Sequence, residues 1–327
     1  MKLKCFLYIA LLLILAIPVR AQTDFTEIDQ IAKSVNYYPT SQLPERITAH
    51  CETDLEKVRA LYAWMTEHIS YDWDLYYDRE KLMWTYYDKE KMIDYILDNR
   101  KAVCSGYAAL FKLYCDKLGI EARVINGLSR QVSNGFEYVY NADHAWNAVR
   151  INGKWRLLDV TWAAGSGGVD DFWFLTRPKY FIYTHFPEKG RGTLLKETLN
   201  RDSFNNLPLV HSKNFFKYRI REFRNGTLYP NKKSILAFGV GEKIDKNRIT
   251  FEVTYKKKDP LDDEETLRRS PLLGIRDSKQ DTEIRVWENS DKKSEILVYL
   301  KSRDIDRISL FIDGEQLVEY RVKFIFK

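Results

Sequence analysis

Cysteine is scarce in this chain, with four in 327 residues, far below the content of a disulfide-stapled scaffold. Nine prolines and 15 glycines are too few for a collagen-like or low-complexity protein, and no fixed-period repeat runs through the sequence. Excess charge is also lacking: 52 Lys and Arg against 46 Asp and Glu give +6, too little to imply nucleic acid or an anionic membrane as a partner. No Cys or His spacing resembles a zinc site, and no glycine-rich loop opens a helix after a strand as a phosphate site would. The acidic cluster around Asp262 lacks the Asp-x-Asp-x-Asp-Gly spacing of a calcium loop. No metal or cofactor is therefore expected. The runs KKK at 256–258 and DDEE at 262–265 read as solvated loop faces.

Long hydrophobic runs are absent but for one. In MKLKCFLYIALLLILAIPVRAQ, Lys2 and Lys4 precede an uncharged run from Cys5 to Ile17, and Val19-Arg20-Ala21 gives the small-x-small pattern of a signal-peptidase site. The expectation is a signal peptide over 1–21, cleaved after Ala21, and a secreted or periplasmic protein. The run is too short to span a hydrocarbon core of ~30 Å, so no stable membrane insertion is expected. No cysteine follows it where a lipoprotein would be acylated. Losing Lys2, Lys4 and Arg20 leaves a net +3. Cys5 leaves too, so Cys51, Cys104 and Cys115 remain, and an odd number leaves at least one free thiol. On one helix Cys104 and Cys115 would lie ~16 Å apart, beyond a disulfide; whether Cys51 and Cys115 pair is left open.

What is present is ample core material, 45% apolar and 14% aromatic residues, in a chain longer than one ordinary compact domain. The pattern divides it into a mixed domain over 22–212 and an all-strand domain over 213–327. Thr53 and Glu56 fit a capping box for a helix from Asp54 to about Ile69, with Leu55, Val58, Leu61, Tyr62, Met65 and Ile69 on one face. A second helix runs near Lys89–Leu97. A third runs from Cys104 to Leu118, with Ala108, Phe111, Cys115 and Leu118 on one face and Gly119 as its stop. IEARVING, HAWNAVRI and KWRLLDV then read as strands, the last two joined at Asn152-Gly153. Residues 165–209 read as loops and short helices. From about Phe216 onward the alternation at Ile249–Tyr255 and Val318–Phe326, with turn signals at Asn225-Gly226 and Asp313-Gly314, predicts a β-sandwich of about seven strands.

The hairpin sets the chemistry. With residue 151 facing 154, residue 146 faces 159 and 144 faces 161, so His144, Trp146, Asp159 and Thr161 share a face. His144 and Asp159 are then diagonal neighbours ~7–8 Å apart at the backbone, a span that an imidazole and a carboxylate can close. Cys104 stands where a helix begins, and a helix N-terminus and an adjacent imidazolium both favour a thiolate. A carboxylate would orient the ring. Ser105 and Gly106 keep the helix start open, so a substrate carbonyl could meet the Cys104 N–H as an oxyanion donor. By contrast, Cys115, His50, His68 and His211 read as structural, and His185, in YTHFPE, as part of a packed loop.

ISYDWD at 69–74, VCSGYAALF at 103–111, HAWNAV at 144–149 and WRLLDVTW at 155–162 together resemble the transglutaminase-like superfamily, a rearranged papain-like fold, in that family's order. The resemblance covers roughly residues 50–210. It implies an α+β core, a central helix packed on an antiparallel sheet, with Cys104 as nucleophile, His144 as general base then acid, and Asp159 as the orienting carboxylate. Trp146 and Trp162 match positions the family fills with site-walling Trp; Tyr107, Ser105 and Gly106 are candidate substrate-binding neighbours. A side-chain oxyanion donor is not identified, and Trp73 and Trp84 are candidates. The stretch from Phe174 to Val210 resembles the kyphoscoliosis peptidase branch, but Gly192-Thr193-Leu194-Leu195 stands where members of that branch carry Trp-Gln-Leu-Leu. The activity implied is thiol acyl transfer on a protein or peptide: an exported peptidase or amidase, with a true protein-glutamine transglutaminase as one alternative. The other is a non-catalytic peptide- or glycan-binding surface protein, whose C-terminal domain would dock a cell-surface or glycan partner.

Overall fold

The computed structural model describes residues 23–210, apart from 37, 38, 40 and 198, and beyond them the strands of a C-terminal region. Residues 1–21, His211 and residues 258–265 lie outside the described residues, and so does the signal-peptide expectation. The helices are α1 (Thr26–Ser34), α2 (Leu43–Ile47), α3 (Asp54–His68), α4 (Trp73–Tyr77), α5 (Arg79–Tyr86), α6 (Lys89–Asn99), α7 (Cys104–Lys117), α8 (Val160–Ala164), α9 (Pro178–Phe181) and α10 (Arg201–Asn205). The strands before residue 211 are β1 (Ser70–Tyr71), β2 (Lys101–Ala102), β3 (Ala122–Ser129), β4 (His144–Ile151), β5 (Lys154–Leu158), β6 (His185–Pro187) and β7 (Leu209–Val210). Among the described residues no helix is long and apolar enough to cross a membrane.

Helix α3 starts where its sequence says it should. Thr53 Oγ1 accepts the Glu56 N–H, and the Glu56 carboxylate accepts the Thr53 N–H in return. The expected apolar face is buried apart from the half-buried Leu55, but so are Arg59, Ala60, Ala63, Trp64 and Thr66, because α1, α7 and α8 all pack on this helix. Arg59 tolerates burial by pairing with Asp29 of α1 at 2.6 Å and with Asp171 at 2.7 Å. Helix α7 lies on β3 and β4, burying Ala108, Phe111 and Cys115, and Gly119 beyond its end adopts φ +73°. Asn147 of β4 ties the two layers by donating to the Ala108 carbonyl of α7 at 2.9 Å.

The sheet has the order β5-β4-β3-β6 and is antiparallel throughout. The hairpin register is the expected one, with Ile151 opposite Lys154 and Asn147 opposite Leu158. Two expectations are corrected. The strand predicted over 154–160 stops at Leu158: Asp159 caps α8, its Oδ1 accepting the Trp162 N–H at 3.0 Å, and a satisfied N-cap outweighs the alternation. Thr161 therefore sits on a helix. His185, expected in a loop, opens β6, which pairs with β3 at the sheet edge. All three described thiols are free, so Cys51 and Cys115 do not pair.

The C-terminal strands are β8 (Thr227–Leu228), β9 (Phe238–Val240), β10 (Phe251–Lys257), β11 (Thr282–Asn289), β12 (Lys293–Leu300), β13 (Ile305–Ile312) and β14 (Glu315–Val322). Among the described residues they form one sheet in the order β10-β13-β14-β7, with β8 also on β14, and another in the order β11-β12-β9. Lys256 and Lys257, expected in a loop, close β10. The expected sandwich also needs the two sheets to face each other, and it stays an expectation. Strand β7 comes from the end of the first domain, and Val318 and Tyr320 of β14 join that domain's core.

Candidate active site

Three elements converge on one point. Helix α7 presents Cys104 at its first position, half-buried, after Val103, which offers no capping side chain. The N–H groups of the first turn thus have no side-chain acceptor laid over them, and the helix dipole favours negative charge there. Strand β4 presents His144 at its first residue, and the β5–α8 junction presents Asp159, which is fully buried. His144 Nε2 lies 2.7 Å from Asp159 Oδ2. Cys104 is near enough to favour the charged form of the His144 ring, and with Nε2 on the carboxylate, Nδ1 is the ring nitrogen left to face the thiol.

The electrostatics follow from this pairing. Burial works to discharge His144, but the adjacent Asp159 charge overrides it and, with Cys104, raises the imidazole well above its ordinary range. Burial likewise works against the Asp159 charge, and the two imidazoles on it hold the carboxyl below its ordinary range. A charged acid and a charged ring are the forms in which a carboxylate orients an imidazolium.

The second imidazole is His185, which the sequence left in a loop. Its Nε2 lies 2.9 Å from the same Asp159 Oδ2, and its Nδ1 lies 2.8 Å from Thr184 Oγ1. Burial pushes His185 down to about 4, against the pull of Asp159. Neighbouring aromatics alone gave no signal for this, because β6 is three residues long and pairs with a strand more than fifty positions earlier. Among the described residues, His144, Asp159 and His185 are the one group of such donors close enough to gather a metal, within 4.8 Å of one another. Both Nε2 atoms are engaged on one carboxylate oxygen, and hydrogen bonding accounts for the cluster.

Both tryptophans expected to wall the site lie beside the His144 ring. Trp162 lies 5.4 Å from the His144 ring and Trp146 lies 6.0 Å from it, stacked. Trp162 is half-buried and Trp146 buried, and the Trp146 indole N–H has no partner among the described residues. Gly127 makes room for Trp146, since a Cβ there would overlap the indole ring.

The other neighbours divide. Ser105 is exposed beside the thiol. Tyr107, a substrate-binding candidate, belongs instead to the core: it is fully buried, and its hydroxyl donates to the Ile69 carbonyl. Gly106 also faces inward, and a Cβ there would strike the Tyr86 hydroxyl and come within 2.9 Å of Ile96 Cδ1. Its role is close approach. Trp73 and Trp84 stand exposed on α4 and α5; the hydroxyl that reaches the start of α7 is that of Tyr86, which accepts the Val103 N–H at 3.2 Å. His68 Nε2 bonds the Lys33 carbonyl oxygen, a structural use, and His50 is exposed.

Residues 41–160 match the model of the Transglutaminase-like superfamily, and the matched segment holds Cys104, His144 and Asp159 in that order. Over those residues the chain is similar to the transglutaminase-like superfamily. Within it, the similarity runs to the kyphoscoliosis peptidase branch. Kyphoscoliosis peptidase of Homo sapiens is 34% identical over 207 residues, covering 59% of this chain and 30% of that protein. The Mus musculus protein of the same name is 32% identical over 206 residues, with the same coverage. Hillarin of Drosophila melanogaster is 29% identical over 226 residues, covering 60% of this chain and 26% of its own. The chain thus spans less than a third of the length of these relatives.

Proposed function

We propose that this protein is an exported thiol acyl-transfer enzyme, most at home as a peptidase or amidase. The observation that carries the reading is the contact of His144 Nε2 with Asp159 Oδ2 at 2.7 Å, with Cys104 at a helix start favouring the charged form of the same ring. In the proposed cycle the Cys104 sulfur attacks the carbonyl carbon of a peptide or side-chain amide. The Cys104 backbone N–H receives the developing oxyanion. The C–N bond then breaks, His144 gives its proton to the departing amine, and a thioester remains on Cys104. Water, deprotonated by His144, attacks the thioester, releasing the acid and restoring the thiol. Asp159 keeps the ring oriented through both halves and stabilises its charged form whenever it holds the proton.

A Lys amine could replace water in the second half, which would make the protein a transglutaminase. A transferase must hold its acceptor and exclude ~55 M water, and nothing among the described residues calls for an acceptor channel; hydrolysis is the reading kept. A glycan or cell-surface partner for the C-terminal strands finds no support and is left out. Export rests on the N-terminal sequence, and an intact mass beginning at Gln22 in the exported protein would test it. For the chemistry, the mature protein is incubated with glutamine-bearing peptides and a labelled primary amine, beside Cys104→Ala. Cys104-dependent release of free acid is expected; amine incorporation outpacing it would make the enzyme a transglutaminase, and neither product would overturn the enzyme reading.

A further inference from the structure

Asp159 serves more donors than a carboxylate that merely orients one ring. Its Oδ1 takes the Trp162 N–H at 3.0 Å, and its Oδ2 takes Nε2 of His144 at 2.7 Å and Nε2 of His185 at 2.9 Å. We propose that His185 is a positioning residue of this site: as a neutral imidazole it donates from Nε2 to Asp159, holding the carboxylate ionised and in the rotamer that receives His144. This rests on the thiol-enzyme reading above.

The surroundings of His185 argue for the neutral ring and for its tautomer. It is 1% exposed and enclosed by Phe181 at 4.1 Å, Trp162 at 4.4 Å, Trp146 at 4.9 Å and Trp173 at 5.4 Å. The titratable groups facing it are Asp159, from the β5–α8 junction, and His144, from β4, whose ring lies 5.2 Å away. Tyr62 of α3 and Tyr107 of α7 sense the same Asp159 charge from the helical side. A second cation beside the His144 imidazolium would be repelled, and burial alone disfavours it. The tautomer is set by Asp159, which as a carboxylate only accepts, together with Thr184. The Thr184 hydroxyl proton has two acceptors in reach, His185 Nδ1 at 2.8 Å and the Phe181 carbonyl at 3.2 Å. Given to Nδ1, it leaves the ring's own hydrogen on Nε2, where Asp159 needs a donor.

The consequence is an acid limit set partly by a residue that never meets substrate. A donor to the carboxylate holds it in the rotamer that receives His144, so losing it weakens the imidazolium beside Cys104 and lets the thiolate take up a proton at higher pH. The test measures iodoacetamide alkylation of Cys104 in the full chain, by peptide mass, from pH 4 to 8, in the wild type, His185→Phe and His185→Gln. Phe keeps the packing and loses the donor; Gln keeps an N–H. The expected result is that Phe moves the acid limb to higher pH by about one unit, roughly tenfold slower alkylation at a fixed pH on that limb, while Gln stays near the wild type. A folded Phe variant with the wild-type limb, or Gln behaving as Phe, overturns the proposal. If Phe does not fold, Thr184→Val decides: loosening the tautomer should move the limb the same way by less, and an unmoved limb overturns the proposal. A wild-type Cys104 no faster than an unfolded thiol would refute the enzyme reading, not the role of His185.

Discussion

Two imidazoles share one oxygen of Asp159, and burial disfavours the charge on both; the pairing overrides burial at His144 and not at His185. His144 is held charged by its pairing; His185 is held neutral, down to about 4. An unfolded histidine titrates near ~6.5. Between that value and about 4, the unfolded chain binds a proton that folded His185 refuses. The stability His185 contributes is therefore complete above ~6.5 and is lost as pH falls toward 4. His144 has the opposite sign: its contribution is complete below ~6.5 and is lost as pH rises through its elevated folded value. Thermal unfolding of His185→Phe should accordingly show a flatter decline than the wild type between pH 6.5 and 4. An identical slope would mean that His185 is protonated in the folded protein. Function at this scale is non-additive: Asp159→Asn should leave the fold intact and slow adduct formation at Cys104, yet cost little more on top of His144→Ala. Fully additive losses would separate the two residues.

Elements place these residues, and the elements differ in how far the sequence announces them. Helices α3 and α7 were legible, because a capping box and a terminal glycine are local chemistry. The β4–β5 register was legible from Asn152-Gly153 alone, and with it the His144–Asp159 meeting. The end of β5 was not: Asp159 reads equally as an alternating strand residue or as an N-cap, and only the following Trp162 N–H decides. Strand β6 was invisible, since three residues carry no period and its partner is remote, and His185 went with it. Gly106 shows the same limit from the other side. Its lack of a side chain reads as an open helix start, whereas the structure uses it to admit Tyr86. Gly106→Ala should therefore shift Tyr86 from Val103, destabilise the protein by about 1–3 kcal/mol, and slow Cys104 alkylation. A variant as stable and as reactive as the wild type would return Gly106 to the substrate side.

At the scale of the molecule, the expected boundary near residue 212 is crossed by structure. Strand β14 pairs with Leu209–Val210, and its Val318 and Tyr320 complete the first domain's core. A chain ending at residue 212 keeps all three site residues and loses that cover. It should unfold earlier, by roughly the 3–6 kcal/mol of two large buried side chains, while any folded fraction still alkylates at Cys104. A folded but inert truncation would make the C-terminal strands part of the site.

The most direct test of the account compares three thiols in one protein. Burial pushes Cys51 up to about 11 and raises Cys115 further, whereas Cys104 sits half-buried at a helix start with an imidazolium beside it. Iodoacetamide alkylation at pH 7, resolved by peptide mass, should modify Cys104 faster than the same cysteine in the unfolded chain, and Cys51 and Cys115 far more slowly. A folded protein in which Cys104 reacts no faster than its unfolded counterpart would contradict the claim that it is the nucleophile.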